Sequence, residues 1–297
     1  MAATTEQRHS AALGLEQQPP EEVLRRLLAA QGDAIAAIQP ALPALARAAR
    51  LAATALREGG RLAYAGAGSS GLMALADCLE LAGTFGIAPE RTPMLFAGGV
   101  RALLHLEGTP EDDLDLAEID LGRTALGPGD VVVCVSASGA TPYTLAVERG
   151  AQAVGAKTIG IANVAASPLL READVAVTLD TGPEMVAGST RMAAGTAQKI
   201  ALNLFSTLLG VQLGHVHDGY MVNLRADNAK LRRRATRIVE ALSGATTDAA
   251  DAALSASGGA VKPAVLIAAG AVPETADALL ARHSGQLGPA LASLRKP

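Results

Sequence analysis

Apolar and polar positions group along the chain into blocks of helical and extended character. Between Pro20 and Glu58 the leucines recur at helical spacing, and Pro40 and Pro43 interrupt the helix. Further along, helical blocks alternate with short segments that are apolar at nearly every position. These apolar segments predict five strands, at residues 61–68, 92–99, 130–138, 157–163 and 175–180.

Segments with a helical pattern follow the strands and connect one strand to the next. They lie at residues 71–82, 141–156, 190–213 and 228–242. Strands that are apolar on both faces are typical of a parallel sheet covered on both sides. The pattern therefore predicts an α/β fold, a doubly wound, mainly parallel five-stranded sheet flanked by helices.

Changes of composition along the chain predict three regions. Residues 1–20 are polar and end in Pro-Pro, which indicates an extended N-terminal arm, fixed only where a partner or the body of the protein holds it. Residues 21–242 form the α/β domain. Residues 243–297 read as a small C-terminal helical module of three short Ala-rich helices.

Bulk composition narrows the function class. Of the 297 residues 49% are hydrophobic but only 2% aromatic, so the core must be built from Ala, Leu, Val and Ile. The net charge of -4 gives no basic face for nucleic acid. No apolar run approaches the roughly 20 residues needed to cross a bilayer, and no secretory signal is visible. We expect a cytoplasmic protein without a nucleic acid or membrane partner.

Cysteine and histidine spacing gives no sign of a metal site. Cys78 and Cys134 lie far apart and form no CxxC pair, so two buried thiols in a reducing compartment are expected. His215 and His217 are two residues apart, which on a helix would turn them to different faces. We therefore expect neither a metal nor a cofactor.

Two strand-to-helix loops are rich in glycine and hydroxyl groups. They read GAGSSG (66–71) and SASGATP (136–142). In a parallel sheet, ligands bind beyond the carboxyl ends of strands, and a helix N-terminus favours an anion such as phosphate. The candidate phosphate-binding residues are Gly68, Ser69, Ser70, Ser136, Ser138, Gly139 and Thr141.

Two other interpretations of these loops, an ordinary capped connection and a dinucleotide-binding site, are less favoured by the sequence than a phosphate-binding site. One such loop alone could be an ordinary capped connection, but two in one sheet favour a binding site. The first loop also matches the dinucleotide pattern GxGxxG. The acidic residue that should end the next strand is missing, because that strand ends in glycines.

The loop pair resembles the sugar isomerase (SIS) domain, a phosphosugar-binding α/β fold. Residues 182–239 resemble the N-acetylmuramic acid 6-phosphate etherases nearly end to end. The family's specific signatures are carried here by GSTR (188–191) and GTAQK (195–199). The likeness extends from about Glu21 to the C-terminal tail.

This resemblance implies a carbon–oxygen lyase that acts on a phosphosugar. The family eliminates D-lactate from N-acetylmuramic acid 6-phosphate and adds water, which leaves N-acetylglucosamine 6-phosphate. DCLELAGTF (77–85) aligns with the family's acid segment and places Glu80 in that role. EGTPEDD (107–113) matches the second glutamate at Glu111, with Glu107 as a fallback.

The resemblance also implies further features. Glu184 and Ser189 would line the sugar site, and the chain would form a homodimer whose sites are completed near the subunit interface. The sequence departs from the family where cations are usual, with Leu72, Ala140 and Ala193 in their place. Another phosphosugar isomerase and a non-catalytic sugar-phosphate sensor therefore stay open as alternatives.

Overall fold

A five-stranded parallel sheet organises the first part of the chain. The computed structural model describes residues 4–106, 108–224 and 228–294. The strands are β1 (Leu62–Gly66), β2 (Met94–Phe96), β3 (Val131–Ser136), β4 (Lys157–Ala162) and β5 (Val175–Thr178). Their order is β2-β1-β3-β4-β5, and every neighbouring pair is parallel. The predicted fold class is confirmed.

Burial explains why the strand segments are continuously apolar. All six residues of β3 are buried, and β3 pairs with β1 on one side and β4 on the other. Central strands of a parallel sheet are covered by helices on both faces, so alternation with polar residues is absent. β5, at the edge, is only partly buried.

Helices connect the strands and cover the sheet. They are α1 (Pro20–Ala36), α2 (Leu42–Arg57), α3 (Gly68–Phe85), α4 (Gly99–Leu104), α5 (Leu114–Thr124), α6 (Pro142–Ala153), α7 (Pro168–Glu172) and α8 (Ala193–Gln212). Helices α1, α6 and α7 each begin with a proline, whose missing N–H is not needed there. Pro40 lies in a 3₁₀ turn between α1 and α2, as the predicted break requires.

The N-terminal segment is held by the body of the protein, a possibility that the sequence analysis leaves open, and its backbone forms turns rather than one extended stretch. Three short 3₁₀ turns lie at Thr4–Glu6, Ser10–Ala12 and Leu15–Gln17. Arg8 forms a parallel bridge with Glu184, and the Thr5 carbonyl accepts a hydrogen bond from the Gly188 N–H at 2.9 Å. Backbone pairing with the body of the protein therefore fixes the segment.

The C-terminal part is helical and carries one short hairpin. The hairpin strands are β6 (Val216–His217) and β7 (Tyr220–Met221), so His217 lies in a strand rather than a helix. The helices are α9 (Ala229–Ser243), α10 (Thr247–Ala256), α11 (Val261–Ala268), α12 (Pro273–Arg282) and α13 (Leu287–Leu294). They enclose an aliphatic core of their own.

The prediction of three short helices in the tail is wrong, because four follow α9 within the described residues. The break that the sequence analysis missed lies between α12 and α13. There Ser284 and Gly285 take left-handed backbone conformations, with φ of 53° and 75°. A serine at positive φ gives no clear sequence signal, unlike the Gly-Gly and Gly-x-x-Pro breaks that were recognised.

The chain consists of two compact units. The first comprises Met1–Leu79 and Pro89–Leu208, and the second Glu80–Ala88 and Leu209–Pro297. These divisions differ from the predicted domain boundaries at residues 20 and 242, which stay a prediction. Across the described ranges no single helix is long and apolar enough to span a membrane. Only α11 and α12 together reach that length and composition, across a bend of 114°.

Candidate functional site

A polar cavity lies in the first unit where the two hydroxyl-rich loops leave the sheet. Its volume is about 330 Å³. The residues that line it are Thr5, Glu6, Ala67, Ser69, Ser70, Glu111, Ala137, Ser138, Thr141, Gly188 and Thr190. Cavities of about 400 and 470 Å³ lie in the second unit, but neither is at the carboxyl edge of a parallel sheet. We therefore take the first-unit cavity as the candidate site.

Ser70 joins the two loops directly. It lies in the first turn of α3, and its Oγ accepts a hydrogen bond from the Ala137 N–H of the second loop at 3.1 Å. The Gln198 Nε2 donates to the same Oγ at 3.1 Å and also to Asn163 Oδ1 at 2.9 Å. Both Ser70 and Gln198 are buried, so this network fixes the spacing of the loops.

Ser136 shapes the second loop from within. Its Oγ is 2.8 Å from Thr141 Oγ1 and accepts a hydrogen bond from the Gly139 N–H at 3.0 Å. Ser138 Oγ accepts from the Ala140 N–H at 3.2 Å. Ser138 and Thr141 both line the cavity, at the N-terminus of α6. The first turn of a helix carries N–H groups without an intrahelical acceptor, which favours an anion.

Glu111 brings a carboxyl group to the first loop. An ideal Cβ on Gly68 would lie 2.4 Å from Glu111 Oε1, so the carboxylate packs where a larger residue would not fit. Gly68 also has a positive φ of 51°, which glycine adopts at low cost. Burial raises the pKa of the Glu111 carboxyl above its ordinary value, and the charge of Asp112 adds to this shift. A higher pKa makes the carboxylate a better proton acceptor.

The N-terminal segment supplies a wall of the cavity that the sequence analysis missed. Thr5 and Glu6 line it beside Gly188 and Thr190. No sequence feature indicated this role, because a polar stretch that ends in Pro-Pro is typical of an N-terminal arm. Backbone pairing of residues 5 and 8 with residues 188 and 184 cannot be read from periodicity.

Several predicted site residues have structural partners and do not line the cavity. Ser136 and Gly139 support the second loop as described, and a Cβ on Gly139 would lie 2.1 Å from Ser167 Oγ. Glu184 is buried, and its oxygens accept hydrogen bonds from the N–H groups of Ala193 and Ala194 at 3.0 and 2.9 Å. It therefore caps the N-terminus of α8. Ser189 lies between the lining residues Gly188 and Thr190.

The two remaining carboxylates of the prediction are those of Glu80 and Glu107. Glu80 belongs to the second unit by compactness and lies on an exposed part of α3, about three turns beyond Ser69. It is not among the residues that line the cavity. Glu107, the fallback for Glu111, lies outside the described residues. Of the two glutamates predicted as catalytic, Glu111 is among the described residues that line the cavity and Glu80 is not.

No lysine, arginine or histidine is among the described residues that line the cavity. At the three positions where the resemblance leads us to expect cations, Leu72 follows the first loop, Ala140 lies within the second loop and Ala193 is buried at the start of α8. An anion in this cavity would therefore meet hydroxyl groups and helix N-termini rather than a cationic side chain of the described lining. No cluster of three His, Cys, Asp or Glu side chains suited to a metal occurs in residues 4–106, 108–224 and 228–294.

The parallel sheet with two hydroxyl-lined loops at its carboxyl edge is that of a SIS-domain protein, and the SIS domain profile matches residues 25–163. A candidate phosphosugar isomerase of capsule formation from Bacteroides fragilis shares the fold, with a TM-score of 0.51 and 23% identity. It covers 64% of this chain and 88% of its own. A protein of Escherichia coli CFT073, solved as a complex, has a TM-score of 0.50 at 16% identity over 68% of this chain and 97% of its own.

Relatives at higher identity specify the family. The N-acetylmuramic acid 6-phosphate etherase of Deinococcus radiodurans is 46% identical over 263 residues, 89% of this chain and 86% of that protein. The etherase of Serratia proteamaculans is 42% identical over 266 residues, 90% of each chain. The chain belongs to the N-acetylmuramic acid 6-phosphate etherase family, as the resemblance of residues 182–239 implied.

Proposed function

We propose that this protein cleaves the D-lactyl ether of N-acetylmuramic acid 6-phosphate to give N-acetylglucosamine 6-phosphate and D-lactate. It is a carbon–oxygen lyase. The observation that carries the proposal is the position of Glu111, whose carboxyl group packs against Gly68 in the cavity that both hydroxyl-rich loops line. A proton acceptor and an anion-binding rim are thereby combined in one cavity.

The reaction needs a base and an acid. In the elimination, Glu111 takes the proton from C2 of the sugar, the C2–C3 double bond forms, and the C3–O bond to lactate breaks. A carboxylic acid donates a proton to the leaving alkoxide. Water then adds to C3 and gives one proton to the carboxylate of the acid, while C2 regains a proton from Glu111, so both carboxyl groups return to their starting states. A base for a weakly acidic carbon benefits from a raised pKa, the direction that burial produces at Glu111.

The phosphate of the substrate is proposed to bind between the loops. Ser69, Ser70, Ser138 and Thr141 surround this part of the cavity, and helices α3 and α6 begin there. The hydroxyl groups and the first N–H groups of these helices donate to the phosphate oxygens. This arrangement replaces the lysine or arginine that would otherwise neutralise the charge.

Glu80 is proposed as the acid, acting on a site completed by a second copy of the chain. A homodimer is supported by an exposed apolar stripe on α1 within the first unit. Leu24, Leu28 and Ile35 are 65%, 72% and 53% exposed and lie on one face of the helix. Exposed apolar side chains that share one face of a helix are typical of interaction surfaces. Such a dimer would account for a catalytic carboxyl group that does not line the cavity of its own chain.

The proposed cellular role is amino-sugar metabolism in the cytoplasm, in the recycling of peptidoglycan. The substrate is a phosphorylated fragment of that polymer, and its phosphate suits the loops. A net charge of -4 and the lack of a basic, aromatic-rich segment support a small-molecule ligand rather than nucleic acid or a membrane.

Release of D-lactate from N-acetylmuramic acid 6-phosphate tests the proposal. The wild-type protein should release lactate, and Glu111→Gln should lower kcat about 10²- to 10⁴-fold, the usual contribution of a general base. Asp112→Asn, a neighbour outside the cavity lining, is the matched control and should keep kcat within about tenfold. Glu80→Gln tests the acid in the same assay.

Other products would point to the alternatives. A ketose formed from an aldose phosphate would indicate an isomerase. Tight sugar-phosphate binding without any turnover would indicate a sensor. Either result, with no lactate from the wild-type protein, would contradict the proposed activity.

A further inference from the structure

The N-terminal segment contributes a carboxylate to the cavity that the proposed reaction does not use. Glu6 lines the cavity together with Thr5. Thr5 is almost fully buried, and its carbonyl accepts the Gly188 N–H at 2.9 Å. Two residues beyond Glu6, Arg8 bridges to Glu184. The backbone is thus paired on both sides of Glu6, and this pairing places residue 6 at the wall of the cavity.

Gly188 leaves room for the Glu6 carboxylate. An ideal Cβ on Gly188 would lie 2.9 Å from Glu6 Oε2, and the residue has a φ of 76°. The Glu6 carboxylate therefore packs on the backbone of the GSTR segment, next to the lining residue Thr190. The N-terminal segment and residues 188–190 form one wall of the cavity.

Charge decides what Glu6 can bind. The cavity lining holds two carboxylates, Glu6 and Glu111, and no cationic side chain among its described residues. A phosphate dianion beside Glu6 would be repelled, whereas the loops that begin α3 and α6 favour it. A carboxylate accepts hydrogen bonds at both oxygens and donates none when ionised. The part of the ligand at Glu6 must therefore be a hydrogen-bond donor without negative charge, as the hydroxyl and acetamido N–H groups of a sugar are.

We propose that Glu6 is a specificity-determining residue that accepts a hydrogen bond from a hydroxyl or acetamido N–H of the sugar. This inference rests on the proposed function only in taking a phosphosugar as the ligand. The N-terminal segment is then part of the binding site and not an appendage. Glu6 selects for the sugar, and the hydroxyl-rich loops select for the phosphate.

Binding of two ligands to the full-length protein separates these roles. N-acetylglucosamine 6-phosphate carries both sugar and phosphate, whereas glycerol 3-phosphate carries a phosphate without the ring. Dissociation constants are measured by calorimetry for the wild type, Glu6→Gln and Glu6→Asp. Glu16→Gln is the matched control, because Glu16 is an exposed glutamate of the same segment outside the cavity.

Glu6→Gln should weaken N-acetylglucosamine 6-phosphate binding about ten- to a hundredfold, as expected for one hydrogen bond to a charged group. Glycerol 3-phosphate binding should stay within about twofold. Glu6→Asp, which keeps the charge on a shorter side chain, should fall between wild type and Glu6→Gln. Thermal melting of each variant checks that it is folded, and Glu6→Asp provides the test if Glu6→Gln is not.

Equal weakening of both ligands would assign Glu6 a structural role and overturn the inference. No change for either ligand would overturn it as well. A Glu6 effect on the sugar phosphate in a protein that releases no lactate would support the inference while the proposed activity fails. A wild-type protein that binds neither ligand would overturn the inference, whereas the proposed activity is overturned only if no lactate is released.

Discussion

Glu148 carries a carboxyl group that is fully buried in α6, the helix that begins at the second loop. Neither of its oxygens has a hydrogen-bond partner among the residues the structure describes. Burial, followed by the charge of Glu172 and more weakly that of Asp174, raises the pKa of Glu148 to about 8, and Arg149 opposes this shift. On the β3 side lies the buried Cys134 thiol, whose own pKa is raised well above its ordinary value by burial and then by Glu148.

The direction of the pH effect follows from these values. The ordinary pKa of 4.5 applies to the unfolded chain, and the folded value is about 8. Between these values the folded protein keeps a proton that the unfolded chain has released. The free energy of unfolding therefore falls with rising pH, by about 1.4 kcal/mol for each pH unit at most. From pH 5 to pH 8 the loss amounts to about 4 kcal/mol as an upper limit, and Glu148 contributes no further change below the ordinary pKa of 4.5.

Urea unfolding at pH 5, 6, 7 and 8 measures this contribution. Glu148→Leu and Glu148→Gln remove the titrating group, so their stability relative to wild type should rise with pH, by about 2 to 4 kcal/mol over the range. Glu118→Leu, at an exposed position of α5, is the control and should follow the wild-type pH dependence. If wild type and Glu148→Leu show the same slope against pH, the carboxyl group is not protonated in the folded protein and the reasoning fails.

Three further predictions concern the site and the assembly. Lactate release should rise with pH with an apparent pKa above 4.5, since burial and Asp112 raise the pKa of Glu111, and Asp112→Asn should move the profile of kcat/KM to lower pH. Gly68→Ala places a methyl group 2.4 Å from Glu111 Oε1, so kcat should fall at least about tenfold by displacement of the base; an unchanged kcat would contradict the assignment. Leu28→Glu puts a charge into the exposed stripe of α1 and should yield a monomer in sedimentation equilibrium, whereas a wild-type monomer would refute the homodimer.

Much of the fold follows from local pattern. The uninterrupted apolar character of β3 follows from its burial under helices on both faces, and the prolines that start α6 and α7 mark helix beginnings. The errors arose where local signals are weak. The turn at Ser284 depends on a positive φ at a non-glycine residue, and the N-terminal segment is shaped by pairing with residues far along the chain.

Some residues of the candidate site could likewise be predicted from the sequence, and others could not. Loop composition pointed to Ser69, Ser70, Ser138 and Thr141, and all four line the cavity. Glu184 carried the same chemical signal as Glu111, but its carboxylate caps α8. Glu6 carried no signal at all. A carboxylate has the same sequence signature whether it binds a ligand, caps a helix or faces solvent, because only its neighbours in space decide which N–H groups it meets.

Residue order alone was enough to predict the parallel sheet, the two hydroxyl-rich loops and the family. These depend on residue types at short spacing and on extended similarity. Three-dimensional packing was needed to show that Ser70 links the loops, that Glu111 packs on Gly68 and that the N-terminal segment closes one wall of the cavity. Each of these contacts joins residues that are far apart along the chain. Such contacts form when the whole sheet and its helices bury their apolar faces together, which no local window of sequence records.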